Sequence, residues 1–182
     1  MNLPNKLTMG RMIAVPFFIL SYIFDLNLVA FIIFILASFT DMLDGKIARK
    51  RNLITNFGKI MDPLADKILV YSAFCLMVPE YVPSWMLIII LAREFLVAGI
   101  RTVAASEGIV IAAAMSGKIK TVLQMIAVPL LLLLPVTEKV TEMSYLYMIN
   151  YMAATGFLWG ALLMTVYSGL EYLVNNKEVF KQ

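Results

Sequence analysis

The chain has 182 residues, 62% of them hydrophobic, with 15 Lys and Arg against 12 Asp and Glu, no histidine and one cysteine. That apolar share exceeds what the core of a water-soluble domain of this length absorbs, which excludes a soluble globular protein and points to a membrane protein. Without histidine there is no imidazole chemistry, so any general base is a carboxylate, a lysine, a tyrosine or water, and Cys75, alone in an apolar run, forms no intrachain disulfide.

A spanning helix needs about 20 apolar residues, so this length allows about six. The N-terminal MNLPNKLTMGRMIAVPFFIL carries Lys6 and Arg11 ahead of an apolar run and has no clear small-residue cleavage site. It reads as a first span that is retained. The pattern predicts an all-α fold: one integral membrane domain over residues 1–182, a bundle of six transmembrane helices at about 7–24, 28–49, 57–78, 84–105, 116–134 and 144–173. Asp25-Leu26-Asn27 is a short turn, and Lys50 to Asn56 is a basic connection. Pro63 is expected in or near the first turns of the third helix, where a missing N–H does least harm. Pro79 to Pro83 is a loop with Trp85 beside it as an interfacial anchor. Glu107-Gly108 ends the fourth helix and Pro135 is expected to stop the fifth.

With these spans, the loops after the first, third and fifth helices lie on one side of the membrane. Of the 15 Lys and Arg, only Lys139 falls in them, while Lys6, Arg11, Lys46, Arg49, Lys50, Arg51, Lys59, Lys118, Lys120, Lys177 and Lys181 fall at the other side. The positive-inside bias therefore predicts a multi-pass protein with both termini in the cytoplasm. The basic rim also suits anionic lipid headgroups. For Lys50, Arg51, Lys177 and Lys181, setting the topology is explanation enough.

The stretch DMLDGKIARKRNLITNFGKIMDPLAD, Asp41 to Asp66, places charge where the membrane tolerates it least. Asp41 and Asp44 are three apart and Asp62 and Asp66 four apart, spacings that put each pair on one helix face. The short connection makes the two helices antiparallel neighbours, so both pairs converge at the cytoplasmic end. A bare aspartate at the bilayer centre costs about 2.5–3.5 kcal/mol, and four together repel unless a cation joins them. All-oxygen ligation suits Mg²⁺, Mn²⁺ or Ca²⁺. Four carboxylates can hold two such ions about 3.5–4 Å apart, a clamp for a phosphoryl or pyrophosphoryl group. Gly45, Ala48 and Gly58 leave room for a bulky ligand, although small residues equally serve helix packing. Arg49 has the fork geometry for a phosphate. A cation transporter is the rival from another class, since intramembrane carboxylates also line ion pathways.

These positions, Asp41, Asp44, Gly45, Ala48, Arg49, Gly58, Asp62 and Asp66, fit the signature D-x2-D-G-x2-A-R-x8-G-x3-D-x3-D without a gap. On that ground the chain resembles the CDP-alcohol phosphotransferase family. The resemblance implies six transmembrane helices, a homodimer, two divalent metals (Mg²⁺ or Mn²⁺) and displacement of CMP from a CDP-linked lipid by an alcohol. It further implies that Asp41, Asp44 and Asp62 are metal ligands, and that Asp66 is both a ligand and the base.

NLPNKLTMGRM, DPLADK, AREFLVAGIR and SGKIKT, spread from Asn2 to about Gln124, resemble the bacterial members of the family that use glycerol 3-phosphate. The implied reaction transfers the phosphatidyl group of CDP-diacylglycerol to glycerol 3-phosphate, at a cavity facing the cytoplasm of a bacterial cell membrane. The expected partners are these two substrates, membrane lipids and a second copy of the chain, with no nucleic acid. Sister enzymes using phosphatidylglycerol or inositol phosphate remain the near alternative. An anionic alcohol calls for cations beyond the metals. Arg101, Lys118 and Lys120 are the candidates for its phosphate, against snorkelling and topology as the plain account. Ser116 and Gly117 add free N–H groups at the start of the fifth helix. Arg93 and Glu94, deeper in the fourth, either pair with each other or touch substrate. Asn5, Thr8, Arg11 and Thr40 are candidates for binding the CDP-lipid, and Lys59 is a further one. Trp159, Tyr145, Tyr147 and Tyr151 read as packing and interfacial belts.

Overall fold

A lipid interior offers backbone groups no water, so apolar segments satisfy their N–H and C=O groups within themselves, as helices. The computed structural model describes residues 3–50, 56–106, 108–109, 111–112, 114–139 and 144–177, and no strand occurs among them. Arg51, Glu107 and Lys181 lie outside the described residues. The helices are α1 (Leu3–Ile23), α2 (Asn27–Lys50), α3 (Asn56–Leu76), α4 (Ser84–Ser106), α5 (Met115–Leu132), α6 (Leu134–Lys139) and α7 (Ser144–Asn175).

Two helix ends show how single residues set boundaries. After α1, Asp25 takes φ 57°, with Leu26 N–H donating to Ser21 O at 2.9 Å and Asp25 N–H to Tyr22 O at 3.0 Å. After α4, Gly108 takes φ 75°, with Ile109 N–H donating to Ala104 O at 2.8 Å and Gly108 N–H to Ala105 O at 3.1 Å. Both are left-handed caps that satisfy the last carbonyls of a helix. Glycine fills one without a steric penalty; aspartate fills the other.

One proline sits as expected and another does not. Pro63 lies two turns inside α3, near its first turns as the sequence predicts. Its missing N–H removes one rung, and the helix runs through. Pro135 does not stop α5; the break is at Leu133, and Pro135 falls in the first turn of α6. There its absent N–H would have had no intrahelical partner anyway, and Thr137 N–H closes the turn on Leu133 O at 2.9 Å.

Contacts divide the chain into two compact units, Met1–Met77 with Val128–Tyr151, and Val78–Ala127 with Met152–Gln182. In the first, α1 buries Asn5, Thr8, Arg11, Val15 and Phe18, and α2 buries Asn27, Ala30, Phe34 and Ala37. Both sets recur every three or four residues, the period of one helix face. Phe18 meets Phe34 at 6.1 Å between ring centroids. The α1 stripe is thus apolar at its C-terminal half and polar at its N-terminal half. The second unit has its own apolar cluster of Val97, Ile100 and Tyr172, with Ile111 and Leu173 packed against it, and a Trp85–Trp159 ring pair at 5.8 Å.

The outward faces carry large apolar side chains, among them Ile13, Phe17, Leu20 and Phe24 of the first hairpin. Such a surface is a liability in water and neutral in lipid. Among the described residues, Asn5–Ile23, Met115–Lys139 and Tyr145–Asn175 are long and apolar enough to cross a membrane, and Asn27–Thr40 is a shorter apolar stretch. The chain is a membrane protein. Gly108→Ala should lower stability by about 1 kcal/mol, read as an earlier thermal midpoint in detergent. Asp25→Gly should leave that midpoint unchanged or raise it.

Candidate active site

The polar half of α1 is where chemistry begins. Thr8 is fully buried, and its Oγ1 donates to Asp62 Oδ1 of α3 at 2.5 Å. That bond ties the N-terminal stretch to the second aspartate pair across 54 residues of sequence. Asp62 and Asp66 are both half-buried, one helical turn apart on α3. The register of α1 against α2 brings in the first pair at backbone level. From the Phe18–Phe34 contact, seven residues back along α1 and seven forward along α2 set Arg11 level with Asp41, and ten set Thr8 level with Asp44. The side chains of Asp41, Asp44, Gly45, Ala48, Arg49, Gly58 and Lys59 lie outside the described ones; their backbones belong to α2 and α3.

A cleft of about 560 Å³ runs along α1 and α2 in the same unit. Lys6, Arg11 and Thr40 line one end, and Phe17, Ile33 and Leu36 the other. Lys6 to Phe17 is about 16 Å of helix. The cleft is lined chiefly by apolar side chains, with the few polar ones gathered at the Lys6 end. Thr40 is half-buried and its Oγ1 donates to Ala37 O at 2.7 Å, so its hydroxyl is used within its own helix.

The second unit holds a separate set of charges. Glu94, buried in α4, receives Arg93 Nη1 at 2.8 Å, and the same Oε1 receives Lys120 Nζ of α5. Arg93 and Glu94 pair with each other, and the pairing leaves the buried Nε of Arg93 without a hydrogen-bond partner among the described residues. Lys120 is buried with Glu94, whereas Lys118 is exposed. Arg101 is exposed and its guanidinium lies 5.7 Å from the centre of the Tyr172 ring, a cation–π contact. Ser116, in the first turn of α5, donates from Oγ to Glu171 of α7. A buried charge persists in such a segment only with a partner, and Glu94 supplies one to both cations.

Comparison with known proteins bears on what these groups serve. Residues 1–167 match the family described as CDP-alcohol phosphatidyltransferase. The chain belongs to the CDP-alcohol phosphatidyltransferase family. It is 43% identical over 196 residues to a CDP-diacylglycerol–glycerol-3-phosphate 3-phosphatidyltransferase of Bacillus subtilis, covering 99% of this chain and 97% of that one. A protein of the same name from Rickettsia bellii is 37% identical over 98% of this chain and 97% of its own length. A probable phosphatidylglycerophosphate synthase of Mycobacterium tuberculosis is 35% identical over 94% and 80% respectively.

In the sequence of this CDP-alcohol phosphatidyltransferase, the last helix shows no role beyond its packing and interfacial aromatics. The structure gives α7 one: Gly169 packs on Arg93, Glu171 accepts from Ser116, and Tyr172 lies under Arg101. The signal was present in GLEY, where an acid interrupts a long apolar run near its end, but nothing local says which side chains it meets. Glu94→Gln should strand buried Lys120 and partly buried Arg93 and lower stability by about 3 kcal/mol or more, measured by thermal unfolding in detergent. Lys120→Met in the same background should recover part of the loss.

Proposed function

We propose that this chain transfers the phosphatidyl group of CDP-diacylglycerol to glycerol 3-phosphate, giving phosphatidylglycerol phosphate and CMP in anionic phospholipid synthesis. The observation that carries this reading is the Thr8–Asp62 hydrogen bond, which joins the N-terminal stretch to the eight-position aspartate signature. The names of the full-length relatives favour glycerol 3-phosphate over other alcohols. The domain is a single membrane unit of six spans, with both termini and the active site at the cytoplasmic face, working as a homodimer.

Asp41, Asp44, Asp62 and Asp66 would hold two divalent cations, Mg²⁺ or Mn²⁺. The donor set is oxygen only, which suits hard cations, and the Thr8 hydroxyl orients the Asp62 carboxylate in the way outer-shell partners orient metal ligands. When bound, such ions supply positive charge against the pyrophosphate and the departing nucleotide. The cleft along α1 and α2 takes the lipid, with Arg11 and Thr40 at its phosphate end and acyl chain along its apolar end; Asn5 and Thr8, on the same face of α1 as Arg11, complete the phosphate contacts. Arg49 adds a phosphate contact, and Gly45, Ala48 and Gly58 leave the headgroup room. Arg101 and Lys118 bind the phosphate of the acceptor, and Lys120, paired with Glu94, adds to the positive field.

Asp66 takes the proton from the glycerol hydroxyl as that oxygen attacks the phosphorus bearing diacylglycerol. The bond from this phosphorus to the oxygen of CMP breaks, and CMP leaves with the electron pair. No covalent intermediate on the chain is needed.

The decisive assay is CMP release by the purified protein from CDP-diacylglycerol with Mg²⁺ or Mn²⁺ and, in turn, glycerol 3-phosphate, phosphatidylglycerol or inositol phosphate. Release with glycerol 3-phosphate alone is the expected result; release with another alcohol reassigns the acceptor, and release with none refutes the activity. Asp66→Asn should abolish turnover while CDP-lipid binding persists, and near-normal turnover would remove Asp66 as the base. Lys118→Ala should raise KM for glycerol 3-phosphate and spare that for CDP-diacylglycerol; an unchanged KM would reject its role.

A further inference from the structure

Arg93 occupies an unusual passage in the second unit. Its side chain is 13% exposed and leaves α4 between two glycines of other helices. A Cβ at Gly117 of α5 would stand 3.2 Å from Arg93 Nη2, and one at Gly169 of α7 would stand 3.1 Å from Arg93 Cγ. Both are tighter than ordinary van der Waals contact. Elsewhere the unit tolerates a methyl: at Gly160 it would meet Leu123 at 3.7 Å, and at Gly99 and Gly156 it would meet nothing within 4 Å. The guanidinium so placed gives Nη1 to Glu94, while its buried Nε has no hydrogen-bond partner among the described residues. A buried guanidinium with an unused donor is a place for an anion.

We propose that Gly117 and Gly169 are positioning residues: they form a slot that fixes the Arg93 side chain, and through it they set the affinity of the second unit for the phosphate of the acceptor alcohol. This rests on the reading of that unit's cations as the acceptor site. The two glycines act on different parts of the same side chain. Gly117 faces the guanidinium, which lysine lacks. Gly169 faces the Cγ, which lysine keeps. A β-carbon at either glycine requires Arg93 to give by a few tenths of an ångström, which alters the placement of its fork.

The test is a set of double-mutant cycles on the full-length protein in detergent or lipid bilayers. Gly117→Ala and Gly169→Ala should each raise KM for glycerol 3-phosphate about fivefold or more, Gly169→Ala the more strongly, with KM for CDP-diacylglycerol and kcat little changed. Gly160→Ala is the control and should change neither. In an Arg93→Lys background, Gly117→Ala should have no further effect on KM, whereas Gly169→Ala should retain one. An unchanged KM for glycerol 3-phosphate, or an equal loss for both substrates, overturns the proposal. So does a Gly117→Ala effect that persists undiminished in Arg93→Lys. If Gly169→Ala fails to fold, Gly117→Ala carries the test, because its clash is with the movable end of the side chain. The thermal midpoint separates this inference from the functional reading. Should the wild-type protein release no CMP, the acceptor assignment falls, and the slot is then judged on stability alone. A midpoint lowered by Gly117→Ala beside Arg93 but not beside Lys supports the slot, and equal losses overturn it.

Discussion

A charge held among apolar helices must find its counter-charge or hydrogen bond inside the protein, because lipid supplies neither. Most of what distinguishes this chain from a plain apolar bundle follows from that constraint. Glu94 accepts both Arg93 and Lys120. Asp62 accepts from Thr8. Ser116 is answered by Glu171 and Arg101 by Tyr172. Apart from Arg93 and Glu94, which are neighbours in sequence, each pairing joins different helices, so the polar groups act as fasteners. Small residues make the same point from the other side, since Gly117 lies against the guanidinium of Arg93 and Gly169 against its stem.

The fasteners differ in kind between the two units. In the first, neutral hydroxyl and carboxylate meet at the polar end of a stripe whose other end is Phe18 on Phe34. The apolar half fixes the register, and the register carries Thr8 and Arg11 to the level of Asp44 and Asp41. In the second, a carboxylate is shared by two cations, so both are held in place and one positive charge is left over before any ligand arrives. A bound phosphate would then meet groups that are already held in place. That lowers the conformational cost of binding for long Lys and Arg side chains.

Much of this was legible in the residues. Apolar runs of spanning length, left-handed caps at a glycine and the i,i+3 and i,i+4 aspartate pairs are local properties, set by sequence periodicity alone. The family followed from eight positions between Asp41 and Asp66. Pro135 misled because a proline's effect depends on where the helix around it begins, and helix starts are settled by contacts on either side. Gly169, Glu171 and Tyr172 carried no local mark of their partners on α4 and α5.

The sequence by itself determined an all-helical membrane protein, the aspartate signature and hence the family, since these rest on composition, hydrophobic period and fixed spacing within one stretch. Only the tertiary structure decided that Thr8 orients Asp62, that Lys120 answers Glu94 while Lys118 stays exposed, and that Arg93 lies in a glycine slot. Those outcomes depend on which helix faces meet and at what register, and the register is set by packing summed over the whole helix pair rather than by any residue in its own neighbourhood.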